Sequence, residues 1–126
     1  ELDFVGCSPD GLTPDRAGYR FGYGGAEIKC PHSERIHMDT ITAKQMPGEH
    51  YPQVQGQIWN CGLEWVDFVS FDPRWGTSHR YFETRIHRNN KYIAMLEKNI
   101  LSFWDFVLSG EDEEPDITSG EIPAIF

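Results

Sequence analysis

Glu27 and Lys29 stand two residues apart in Ala26-Glu27-Ile28-Lys29-Cys30, a run whose other members are apolar. Gly24-Gly25 precedes the run and Pro31 follows it, the punctuation of a short β-strand. Residues two apart on a strand share a face, so Glu27 and Lys29 are predicted side by side, with Ile28 entering the core from the other face. Any fold for this chain must therefore accommodate a carboxylate and an ammonium together on an apolar strand. Dry charges are costly unless they are paired, solvated or used. An edge strand carrying an exposed ion pair would satisfy the same pattern, and Glu-x-Lys alone does not decide between the two.

Around this strand the chain alternates extended and helical segments. Leu2–Cys7 reads as a short strand, Ser8-Pro9-Asp10-Gly11 as a type I turn, and residues 12–18 as a loop. Tyr19–Tyr23 alternates aromatics with Arg and Gly, and Gly24-Gly25 allows a bend or bulge before Ala26–Cys30. Residues 33–46 are weakly periodic and helical, ended by Pro47-Gly48. Over residues 51–61, Val54, Ile58 and Cys61 form a core face, while Gln53, Gln57 and Asn60 repeat the spacing on a polar face. Gly62 stops that helix. Trp65–Phe71 and His79–Ile86 form a hairpin with a longer loop, Trp65, Asp67, Val69 and Phe71 sharing one side. Asn89 or Asn90 caps a last helix, in which Ile93, Leu96, Ile100, Phe103 and Val107 follow 3-4-3-4 spacing up to Gly110. The order β, turn, β, helix, helix, β, β, helix is an α/β layer, a mixed β-sheet flanked by helices.

A length of 126 residues suits one core. The net charge of −9 is unevenly placed: residues 111–126 carry six acidic residues and neither Lys nor Arg, leaving −3 on residues 1–110. Residues 1–110 are read as the folded core and 111–126 as a loose acidic tail. The core is near enough to neutral to hold a local basic groove, so the charge does not exclude a nucleic-acid partner. No apolar run approaches the roughly 20 residues of a membrane helix, and the opening residues lack a signal-peptide pattern. Cys7, Cys30 and Cys61 are odd in number and scattered, which argues against a disulfide framework and for reduced cytosol. A strand beginning at residue 2 needs neighbours, and this leads to the expectation that further sequence precedes it.

The turn at Asp10 ends one strand and so places its carboxylate beside the neighbouring strand, within reach of Glu27. Two carboxylates sharing a hard cation, with a lysine alongside, are the minimum apparatus for metal-assisted phosphodiester hydrolysis. The cation polarises the phosphate and generates hydroxide; the ammonium steadies the attacking water or the developing charge. A structural turn at Asp10 remains the competing reading. Cys30, His32, His37, His50 and Cys61 contain no CxxC or HxxxH pair, so a zinc-dependent interaction domain is the weaker alternative. Cys30 as a nucleophile is disfavoured by its apolar strand. Trp59, Trp65, Phe68, Phe71, Phe103 and Trp104 are assigned to the core. Arg74, Arg80, Arg85, Arg88 and Lys91 form the densest basic stretch, either solvated surface or contacts to a DNA backbone.

Four blocks, Gly6-Cys7-Ser8-Pro9-Asp10-Gly11-Leu12, Glu27-Ile28-Lys29-Cys30-Pro31, Tyr51-Pro52-Gln53-Val54-Gln55-Gly56-Gln57-Ile58-Trp59 and Phe71-Asp72-Pro73-Arg74, occur in that order. Together they resemble the phage lambda exonuclease and YqaJ-type viral recombinase nucleases of the PD-(D/E)xK superfamily, from about Val5 to about Leu108. The resemblance implies a restriction-endonuclease-like core. It implies that Asp10, Glu27 and the Ile28 backbone carbonyl ligate Mg²⁺, with Mn²⁺ able to substitute. Lys29 becomes the catalytic lysine, and Gln53 orients water or the scissile phosphate. It further implies 5′→3′ digestion of one strand of linear duplex DNA in phage-type recombination, in a phage or its bacterial host, with a single-strand annealing partner and a ring-shaped homo-trimer. The family's further acidic ligand and phosphate-binding arginine lie on segments before the Asp-bearing strand, with Glu1 or Asp3 as the candidate substitutes for the acid here. A module that keeps the fold and binds DNA without cutting it is the alternative function.

Overall fold

The structure, a computed structural model, describes residues 2–14 and 21–110. The expectations for the rest of the 12–18 loop, for Tyr19 and Arg20, and for the tail at 111–126 lie outside those residues. Within them a four-stranded mixed sheet runs in the order β1 (Gly11–Pro14), β2 (Phe21–Lys29), β3 (Trp65–Phe71) and β4 (Tyr81–His87). The β1–β2 and β3–β4 pairs are antiparallel, and β2–β3 is parallel. Parallel neighbours need a long crossover. Here it carries α1 (Glu34–Ala43), a single 3-10 turn at Gly48–His50 and α2 (Tyr51–Asn60). The chain ends its described part with α3 (Asn90–Ser109).

Leu2–Cys7 is not a strand. Its backbone turns, with the Val5 N–H donating to the Leu2 carbonyl at 3.1 Å, and the first ladder begins after Asp10, where Gly11 meets Ala26. Strand-like residues need a paired neighbour, and the β1–β2 ladder reaches no further toward the N-terminus. β2 passes straight through Gly24-Gly25, while the register shift lies on β1 between Leu12 and Pro14. The glycines serve close approach: a Cβ on Gly24 would collide with the indole of Trp65, its partner across β3. α1 stops at Ala43, before Pro47-Gly48, because Lys44 adopts the left-handed conformation (φ 54°) and returns its N–H to the Ile41 carbonyl.

The core lies between one face of the sheet and α2 with the first turns of α3. It contains Met46, Tyr51, Val54, Ile58, Leu63, Val66, Phe68, Ile86, Tyr92 and Ile93. β3 shows the expected alternation, with Val66, Phe68 and Ser70 inward. Cys61 packs against this core, as predicted. Gln57, assigned to a polar face, is buried. In α3 the predicted apolar stripe is covered only at first, because Phe103 and Val107 lie beyond the reach of the sheet and are exposed. Trp104 stacks on Phe4 rather than entering the core.

The strand carrying the two charges is turned over relative to expectation. Ile28 is 49% exposed and Glu27 is 3% exposed. Helix α2 covers the face holding Gly25, Glu27 and Lys29; the opposite face, with Ile28 and Tyr81, is uncovered among the described residues. A one-residue shift of strand phase exchanges the two faces, and sequence alternation alone does not say which face the helices will choose. The scattered cysteines also meet: the Cys7 and Cys61 sulfurs lie 3.4 Å apart as free thiols. Burial and this contact push the Cys7 thiol up to about 11. Cys30, placed on an apolar strand by its sequence, is exposed just beyond β2.

Candidate active site

Asp10 precedes β1 by one residue, and its N–H donates to the Ala26 carbonyl at 3.1 Å. Its Oδ2 then accepts the Ile28 N–H at 2.6 Å, so the side chain continues the ladder where β1 backbone leaves off. In a strand the N–H and C=O of one residue face the same neighbour. The Ile28 carbonyl therefore points to the same edge as Asp10, past the last β1–β2 pair at Ala26. Among the described residues Asp10 Oδ1 has no partner.

Glu27 is held from two elements. Lys29 Nζ lies 2.5 Å from Glu27 Oε1, and Gln53 Nε2 donates to the same oxygen at 2.8 Å. Lys29 Nζ also donates to Gln53 Oε1 at 3.0 Å, closing a ring of three side chains. From beneath, Gln57 Nε2 donates to Glu27 Oε2 at 2.5 Å. A carboxylate this dry would be strongly destabilising without such partners. The two glutamines reach it because they are one helical turn apart on α2, whose position is set by Val54 and Ile58, both wholly buried. His50, at the entrance to α2, stacks on Phe68 with centroids 5.4 Å apart. Burial first, and then the neighbouring Lys29 charge, lower its pKa and favour the neutral ring.

Asp10, bonded to the Ile28 N–H, and the successive β2 residues Glu27 and Ile28 carry hard oxygen donors, the donor chemistry that suits a hard divalent cation. They include only two carboxylates; no group of three His, Cys, Asp or Glu side chains gathers among the described residues. Lys29 supplies the positive charge beside Glu27 in their present arrangement.

The basic residues do not converge. Arg74 grips Asp72 through two bonds of 2.8 Å and donates to the Pro31 and His32 carbonyls at 3.2 Å, tying the segment after β2 to the end of β3. Arg85 grips Asp67 at 2.7 and 2.8 Å and lies 3.5 Å above the Trp65 ring on the uncovered sheet face. Arg88 caps the end of α2 through the Ile58 and Leu63 carbonyls at 3.1 and 3.2 Å. The Arg80 and Lys91 side chains are exposed and without a partner among the described residues. Two residues were given no role of their own by the sequence. Gln57 carried a signal, its four-residue spacing from Gln53; Asp72 carried one in its neighbour Arg74, two residues away.

A mixed sheet whose crossover helices back a strand edge with two acids and a lysine defines a small restriction-endonuclease-like α/β core. The model of the YqaJ-like viral recombinase domain matches residues 1–64, and the chain belongs to that family. The chain is similar to the crystal structure of an alkaline exonuclease, LHK-Exo, from Laribacter hongkongensis: 36% identity over 82% of this chain and 49% of that one, TM-score 0.73. It is similarly related to LHK-Exo in complex with dAMP, at 36% identity over the same shares and a TM-score of 0.72. The chain thus spans about half the length of these solved structures. No curated protein matches it.

Proposed function

We propose that this chain carries the catalytic core of a divalent-metal-dependent deoxyribonuclease that hydrolyses DNA phosphodiesters exonucleolytically. The observation that supports this most is the ring that Lys29 and Gln53 close on Glu27, with Asp10 bonded to the backbone N–H of the next residue, Ile28, in a member of the YqaJ-like family. Asp10, Glu27 and the Ile28 carbonyl would hold Mg²⁺, with Mn²⁺ as a substitute. Such an ion, when bound, lowers the pKa of water and screens phosphate charge. Lys29 Nζ, with three donor hydrogens, steadies the attacking oxygen or the charge that grows on the phosphate. Gln53, bonded to both Lys29 and Glu27, fixes the amine's direction and offers its amide to the same water. Attack at phosphorus breaks the bond to the 3′-oxygen and leaves a 5′-phosphate.

Incubation with linear duplex DNA and Mg²⁺ tests the proposal: acid-soluble nucleotides should appear and EDTA should stop their release. No release with either Mg²⁺ or Mn²⁺ would overturn it. A DNA-binding module that does not cut is the second reading, favoured by the absence of a third metal-binding side chain among the described residues, and the same assay separates the two. The finer reading is 5′→3′ digestion in phage-type recombination, alongside an annealing protein, as a trimer in the cytoplasm. Strand-specific end labels test the direction, and sedimentation tests the trimer. No helix among the described residues is long and apolar enough to cross a membrane.

A further inference from the structure

Two buried glutamines on α2 differ in how the fold uses them. Gln55 is satisfied at both ends: Nε2 donates to the His87 carbonyl at 2.9 Å and Oε1 accepts the Asn89 N–H at 3.0 Å. That is a structural amide, joining α2 to the end of β4. Gln57 is 1% exposed, spends its Nε2 on Glu27 Oε2, and leaves Oε1 buried without a hydrogen-bond partner. The orientation is not interchangeable. An ionised carboxylate only accepts hydrogen bonds, so rotating the amide would set oxygen against oxygen.

A buried orphan acceptor destabilises a fold, and an apolar side chain of similar volume would avoid it. Packing therefore gives no reason for glutamine at this position, whereas Glu27 does. Lys29 and Gln53, which hold the other oxygen, reach solvent and are the groups the proposed reaction engages. Gln57 is the remaining contact to Glu27, fixed from below by a helix whose neighbouring residues Val54 and Ile58 are wholly buried.

We propose that Gln57 is a positioning residue, whose amide locks the Glu27 carboxylate in the rotamer that receives a divalent cation. The inference rests on the nuclease reading and assigns a residue beyond those that would touch the ion. Gln57→Met removes the donor and the orphan together at nearly constant volume. Mn²⁺ affinity, titrated calorimetrically without DNA, should weaken by about 10–100-fold, the usual cost of losing a partner of a metal ligand. kcat should fall by a similar factor while the KM for DNA stays within about twofold, and Tm should hold or rise. Gln57→Asn keeps an amide too short to reach Glu27 and should reproduce the loss, which decides the matter if the Met variant does not fold. A variant with parental Mn²⁺ affinity and kcat overturns the assignment, as does one that loses only Tm. A parent protein that binds no Mn²⁺ at all would instead sink the nuclease reading, and this inference with it.

Discussion

Lys29 has two roles at once, ion-pair partner of a nearly dry carboxylate and proposed reagent. Lys29→Ala should lower the rate of nucleotide release by about 10²–10³-fold, as the loss of a charge-stabilising donor does elsewhere. The fold, followed by circular dichroism, and most of the Mn²⁺ affinity should survive, since Gln53 and Gln57 still hold Glu27. A variant that cuts as fast as the parent would remove the lysine from the mechanism. Asp72 gives the pH prediction. Its carboxylate is covered by its own turn, and the Arg74 guanidinium bonded to it holds its pKa below the ordinary 3.8. A depressed carboxyl pKa means that the folded state favours the ionised form. The contribution is therefore complete above about pH 4 and is lost as pH falls through the lowered value. Thermal melts between pH 2 and 6 should show this acid limb, and it should flatten in Asp72→Asn.

At the scale of elements, α3 depends on a start signal visible in the sequence. Asn89 accepts the Tyr92 N–H at 3.0 Å as its N-cap, and its amide donates to the Tyr51 hydroxyl at 3.1 Å. Asn89→Ala should cost about 1–2 kcal/mol in urea denaturation; a loss below about 0.3 kcal/mol, within the scatter of surface substitutions, would mean that the cap is redundant. β3, the hairpin, α2 with its glycine stop (Gly62, φ 64°) and the cap of α3 were all legible, because each is specified by local periodicity and termination. Leu2–Cys7 departs from its strand-like sequence because a strand also requires a partner, and the β1–β2 ladder begins only at Gly11. The phase of β2 is not local information, because its covering helix arrives more than twenty residues later in the chain.

For the whole molecule, charge placement matters more than its total. The net −9 includes the six acidic residues of 111–126, which would compete with DNA for the basic side chains. Deleting residues 111–126 should tighten DNA binding by about tenfold at low ionic strength, with the gain fading as the Debye length falls toward about 3 Å at 1 M salt. Equal affinities at low salt would exclude that competition. Three of the five basic residues first considered for DNA, Arg74, Arg85 and Arg88, bind carboxylates or carbonyls within the fold. A sequence count of positive charge could not show that, since a partner such as Asp67 lies eighteen residues from Arg85.

The amino-acid sequence by itself determined the order of elements from β2 onward, the hairpin and the helix faces that carry Val54 and Ile58. Through the spaced blocks at Asp10, Glu27-Ile28-Lys29 and Gln53, it also determined the family to which the chain belongs. Those properties depend on neighbours a few residues apart or on motifs that survive as strings. Only the tertiary structure decided that Glu27 faces inward while Ile28 faces out, that Gln57 reaches it from below, and that Cys7 meets Cys61. Each of these depends on which surfaces the crossover brings together, and strand alternation is satisfied equally well by either face.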